Sequence, residues 1–178
     1  NSSTRWSSSM GARTAYTTAI AQAAAVQTLD ADLVEALILC ESAGHADAFR
    51  FEPQYAHRYR IATRYPQWPV RAVASSYGLM QMMVPTAFDL GFKGEPEELF
   101  LPATNLRWGC RYLKACFNWA DDFKAPEADT VRGALCAYNG GRNSSTSPLN
   151  PRPANIAYAQ RVLTTARQLA PLLQQKPT

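Results

Sequence analysis

Leu33-Val34-Glu35-Ala36-Leu37-Ile38-Leu39-Cys40-Glu41-Ser42 is the stretch that decides the fold of this 178-residue chain. Between Leu33 and Cys40 only Glu35 is polar, so a helix here is apolar on nearly every face. Such a helix belongs inside a core, with other elements packed around it. Its start is well marked: Asp30 can cap the free amides, Asp32 suits the positive helix end, and Leu29 can staple onto Val34. Gly44 offers a stop beyond the far end. Glu41 follows the apolar run directly. A carboxylate at the rim of an apolar helix resists ionising, which moves its pKa toward the range a general acid needs at neutral pH. The plainer alternative is a solvated glutamate at a helix end.

The length suits one domain with a single sizeable core. A hydrophobic share of 47% and a charged share of 18% exclude a disordered chain. Net charge is +4, from 18 Lys and Arg against 14 Asp and Glu. That excess is compatible with an anionic polymer surface and too small to argue for nucleic acid. No apolar run approaches the roughly 20 residues of a membrane span, so no stable membrane insertion is expected. No signal-peptide pattern opens the chain. The four cysteines form no CxxC pattern, and neither a metal nor a cofactor is expected. Cys110 and Cys116 fall on one helix, where six residues rise roughly 9 Å, too far for a disulfide. Cys40 and Cys136 lie in apolar helical patterns; they can pair if their helices touch, but free thiols are the expectation.

The rest of the chain reads as mainly α, with no strand-period segment and no internal repeat. Residues 1–12 read as a flexible tail and 13–178 as the folded domain. Residues 14–28 are alanine-rich and helical, with Ile20 and Val26 as the main anchors. Residues 43–53 read as loop. Residues 55–73 interleave His57, Arg58, Arg60, Arg64 and Arg71 with Tyr55, Tyr59, Tyr65 and Trp68. This composition fits a sugar- or polyanion-binding rim, and equally a surface loop whose arginine stems cover part of the core.

Gly78-Leu79-Met80-Gln81 puts a glycine turn before an apolar run in which the glutamine needs a partner, internal or from a ligand. Residues 85–90 read as a short helix stopped by Gly91. In residues 102–119, Leu106, Cys110, Leu113 and Phe117 share one helical face. Asp129 can cap a helix carrying Val131, Ala134, Leu135 and Tyr138, which stops at Tyr138-Asn139-Gly140-Gly141. Pro153 opens a last helix with Ile156, Ala159, Val162, Leu163, Ala166 and Leu169 inward.

Three elements end in polar residues where an apolar pattern stops: Glu41-Ser42, Gly78-Leu79-Met80-Gln81 and Tyr138-Asn139. Together with Ala137-Tyr138-Asn139-Gly140-Gly141 and Tyr158 followed by Val162, these motifs, in this order, resemble the soluble lytic transglycosylase family over residues 30–163. Two departures stand out. Ser75-Ser76 occupy places where the family usually has Gly-Ala, and Glu41 and Gly78 are 37 residues apart, more than the compact family pattern. The surplus is the arginine- and aromatic-rich segment, which resembles longer versions in phage-encoded cell-wall enzymes.

The resemblance implies a lysozyme-like fold, a cell-wall site of action in the periplasm, outside the cell or on a virion, and a monomer acting on peptidoglycan glycan strands. It implies cleavage of the β-1,4 bond between N-acetylmuramic acid and N-acetylglucosamine with closure of a 1,6-anhydro ring. Glu41 would be the acid and then the base. Ser42 and Tyr138 would set Glu41 or the substrate acetamido group. Gln81 and Asn139 would bind sugar substituents, Met80 would lie in the binding site, and Tyr158 would support it. Between Pro53 and Phe88 there is no Asp or Glu, which favours a one-carboxylate mechanism over a water-using lysozyme; Asp47 and Glu52 remain candidates for a second acid. A non-catalytic wall-binding or virion module stays as a third reading.

Overall fold

The apolar stretch forms α2, Ala31–Ser42, with the Asp30 side chain accepting from Leu33 N at 2.8 Å. The helix ends where Ala43 turns left-handed at φ 54° and Gly44 follows at φ 81°. Val34, Ala36, Leu37 and Ile38 are completely buried. Each large one contributes about 1.5–3 kcal/mol of burial, so α2 is the helix the others pack around. The coordinates are those of a computed structural model, which describes residues 12–124, 126–142 and 151–170.

Helix α1, Thr17–Val26, and the last long helix, α9, Pro153–Leu169, pack against α2. Helix α7, Pro102–Asp121, packs on α8, Glu127–Gly140, which packs in turn on α9. Ile20 anchors α1 as expected, but Val26 does not. It is 78% exposed, and the buried face is Ile20 with Ala24 one turn on, whereas six residues from Ile20 carry Val26 well round the helix. The α8 start also differs from the sequence reading: the helix begins after Pro126, and Asp129 lies in its first turn, paired with Arg132 at 2.6 Å.

The chain is mainly helical, yet three strands escaped the periodicity. Strands β1, Phe49–Phe51, β2, Ser75–Tyr77, and β3, Met82–Met83, form an antiparallel sheet in the order β1-β2-β3. Two or three residues are too few for alternation to register in a sequence.

Between β1 and β2 the cationic and aromatic segment folds into three short helices: α3, Pro53–Arg58, α4, Ile61–Arg64, and α5, Val70–Val73. Ile61 is fully buried and fastens this segment. Tyr65 and Trp68 pack on Phe88 of α6, Val84–Asp89, at ring distances of 5.9 and 5.1 Å, while Arg58, Arg60, Arg64 and Arg71 are exposed. Tyr65 and Trp68 therefore serve packing, while Arg64 and Arg71, though exposed, lie over the Tyr65 ring and the Phe49 and Phe51 rings respectively. All four cysteines are free thiols.

Candidate active site

Glu41 lies in the last turn of α2, and α9 crosses close enough for Tyr158 to donate its hydroxyl to Glu41 Oε1 at 2.6 Å. Burial pushes the Glu41 carboxyl above its ordinary range; the Tyr158 hydrogen bond and the positive charges of Arg50 and Arg161 pull the other way and do not prevail. Burial, together with the adjacent Glu41 charge, keeps the Tyr158 phenol protonated, so it remains a donor. Tyr138 is likewise held protonated by burial and, next, by the charge of Glu41.

The 78–81 loop between β2 and β3 is fixed from below by Asn105 of α7. Its Nδ2 donates to Tyr77 O and Leu99 O, both at 2.7 Å, and its Oδ1 accepts from Met80 N at 2.8 Å. Gly78 sits at φ 68°, and a Cβ there would come within 2.6 Å of Asn105 Nδ2 and 2.9 Å of Leu99 O, so both the turn and the close approach require glycine. Ser42 Oγ lies 2.8 Å from Leu79 O, and Tyr138 donates to Met80 O at 2.7 Å. The loop is thus tied to α2, α7 and α8 at once.

These ties revise the detail of the sequence reading. The hydroxyls of Ser42 and Tyr138 go to loop carbonyls rather than to Glu41. The Met80 side chain is fully buried against Gly109 of α7, and its carbonyl accepts from the Tyr138 hydroxyl. Gln81 adopts φ 48°, and its Nε2 donates to Gly78 O at 3.0 Å and Ala48 O at 3.2 Å. The partner that this glutamine needed is therefore the turn itself. Asn139 Nδ2 donates to Asn155 Oδ1 at 3.0 Å, joining α8 to the start of α9. Glu52 accepts from Arg50 Nε at 2.5 Å, and its own N–H donates to Ala74 O at 2.8 Å. Asp47 is exposed in the turn before β1.

Sequence reasoning missed Asn105, Arg50, Arg161 and Asn155. Asn105 left one faint signal, an amide in the first turn of an amphipathic helix. Arg50 and Arg161 left none, since only the fold brings them near Glu41. The buried partner of Arg13, Glu35, was seen only as an interruption of the apolar run.

Residues 18–158 match the model of the transglycosylase SLT domain. The chain belongs to that family. The SLT domain here is similar in fold to the X-ray structure of an inactive glutamate-to-glutamine mutant of the lytic transglycosylase Slt from Pseudomonas aeruginosa, with a TM-score of 0.62 and 21% identity. The likeness covers 92% of this chain and 25% of that one, so the chain spans about a quarter of that protein's length. It carries the mainly helical, lysozyme-like architecture. No curated protein sequence matches the chain.

Proposed function

We propose that this SLT domain is a peptidoglycan lytic transglycosylase in which Glu41 is both acid and base. One observation carries the reading: a carboxyl at the end of a buried helix, pushed above its ordinary pKa by burial and aimed by Tyr158. An upward shift favours the protonated carboxyl, the form a general acid needs.

Glu41 protonates the glycosidic oxygen between N-acetylmuramic acid and N-acetylglucosamine, and the C–O bond breaks as positive charge grows at the muramyl C1. The substrate's acetamido oxygen supports that centre, the role a second carboxylate fills in an ordinary glycosidase. Glu41, now anionic, takes the proton from the muramyl C6 hydroxyl, and that oxygen closes on C1. No water is consumed and the carboxyl returns to its starting state. Tyr158 orients Glu41 and stabilises its anionic stage, since a phenol donor favours the charged carboxylate. Ser42, Tyr138 and the carbonyl of Met80 keep the 78–81 loop at a fixed distance from Glu41. Gln81 offers its amide oxygen to sugar substituents, its Nε2 being held by the turn, and Asn139 takes part from the end of α8.

The protein acts as a monomer on glycan strands at the cell wall.

Mass spectrometry of muropeptides released from purified peptidoglycan tests the reaction, with Glu41→Gln alongside. Products lighter than hydrolysis products by one water, absent with the variant, are expected. Reducing-end muramic acid would mean a lysozyme and turn attention to Glu52 and Asp47. Binding without release would leave a wall-binding module.

A further inference from the structure

The small sheet has two faces, and successive residues of β1 alternate between them. Arg50 belongs to the face toward Glu41, whose carboxyl feels its charge. Phe49 and Phe51 belong to the other face, where the Arg71 guanidinium lies over both rings at 5.4 and 5.2 Å. On that far side is an open groove of about 410 Å³ lined by Phe49, Pro69, Arg71, Ala72, Tyr77, Glu97 and Phe100.

The floor of the groove is aromatic and rigid. Phe49 meets Tyr77 edge-on at 5.2 Å, Tyr77 meets Phe100 at 4.8 Å, and the Tyr77 hydroxyl donates to Ala72 O at 2.6 Å. Phe49 is one of the few large apolar side chains left exposed, at 39%. Two opposite charges stand on the rim. Arg71 comes from α5 and Glu97 from the 3-10 turn Pro96–Phe100, both lining the groove beside Tyr77, whose phenol is raised by burial first and by the Glu97 charge second. Among the described residues neither forms an ion pair, with each other or with any third group.

An aromatic trough with an unpaired cation and an unpaired anion is complementary to an aliphatic chain ending in a carboxylate and an ammonium group. We propose that this groove binds the stem peptide of peptidoglycan through a diamino-acid residue, whose side chain ends in that zwitterion. The aliphatic part lies on Phe49, Tyr77 and Phe100; Arg71 takes the carboxylate and Glu97 the ammonium. The site is separate from Glu41 and holds the enzyme to the peptide mesh while a glycan strand is cut. This assignment rests on the proposed peptidoglycan substrate.

NMR titration with a free tetrapeptide containing meso-diaminopimelate tests it, beside a peptide-free glycan oligosaccharide and the cleavage assay. The tetrapeptide should bind the wild type and Glu41→Gln equally. Arg71→Gln and Glu97→Gln should each weaken it at least tenfold, leaving oligosaccharide binding and cleavage of peptide-stripped strands unchanged. Glu97 is exposed and its side chain makes no hydrogen bond among the described residues, so its variant reads the site even if Arg71→Gln unfolds the rim. The assignment is overturned if the wild type cuts strands without binding the tetrapeptide, or if Glu97→Gln leaves peptide binding intact. It is also overturned if Glu97→Gln weakens the oligosaccharide instead, which would make this a glycan groove. Failure of the wild type to release anhydro products counts separately against the transglycosylase reading.

Discussion

Helix α2 carries two glutamates six residues apart, roughly 9 Å along its axis, and the fold treats them in opposite ways. Glu35 is 1% exposed, and burial alone would raise its pKa. Instead Thr17 Oγ1 donates to it at 2.7 Å, Thr14 N at 2.8 Å, Thr14 Oγ1 at 3.0 Å and Arg13 Nη1 at 2.6 Å, and together they hold it below its ordinary value. Glu41 also feels burial, but among the described residues only Tyr158 donates to it, and its pKa rises. The difference teaches that burial does not by itself make an acid. The number of donors facing the carboxylate decides. Glu35 is a joint, favoured in its ionised form, that ties the start of the chain to the central helix, and Arg13 extends the joint to Asp32 at 2.8 Å and to Leu169 O at 3.3 Å.

The sharpest break of this contrast is at the catalytic end. Glu41→Gln keeps the shape and cannot shuttle the proton, so turnover should fall roughly 10²–10⁴-fold while the melting temperature stays near that of the wild type. Unfolding of the variant, rather than inactivity, would mean that Glu41 is also structural.

Glu35→Ala should show the reverse profile. Two threonine hydroxyls lose their acceptor and Arg13 keeps Asp32 as a carboxylate partner, so urea unfolding should lose about 3 kcal/mol, the low end of the range for breaking a buried ion pair. Turnover of the molecules that remain folded should stay close to normal.

Thr17→Val removes one donor to a charged acceptor and should cost about 1.5–3 kcal/mol. It also moves the pH dependence. A carboxylate with a lowered folded pKa gives stability that is full above its unfolded value and lost as pH falls through the folded one. With a donor gone the folded pKa rises, so acid unfolding followed by circular dichroism should begin at a higher pH.

The smallest effect is at Tyr158. Tyr158→Phe deletes the donor that favours ionised Glu41, so the Glu41 pKa rises further. The basic limb of the kcat/KM profile should shift to higher pH, beside a loss of turnover from poorer aim. A limb that moves downward would show that Tyr158 is not stabilising the carboxylate.

The core was legible because its signals are local. A run from Leu33 to Cys40, a cap at Asp30 and the repeat of Leu106, Cys110 and Leu113 each specify a buried helix face without reference to the rest of the chain. Glu41, Gly78 and Tyr158 could be picked out for the same reason, as parts of motifs in order. The roles of Ser42, Met80, Tyr138 and Gln81 were less legible, because their hydrogen bonds run to backbone groups that no residue pattern encodes. The sheet was lost through brevity, and Val26 because its apolar side chain lies off the Ile20–Ala24 face of α1.

The sequence by itself determined a central apolar helix ending in a carboxyl, and the order of the polar motifs that meet it. Only the tertiary structure decided the opposite pKa shifts of its two glutamates, the anchoring of the 78–81 loop by Asn105, and the two-charged groove behind the sheet. Each of those depends on distances between residues far apart in the chain, where hydrogen bonds and charges act over a few ångströms that sequence order does not measure.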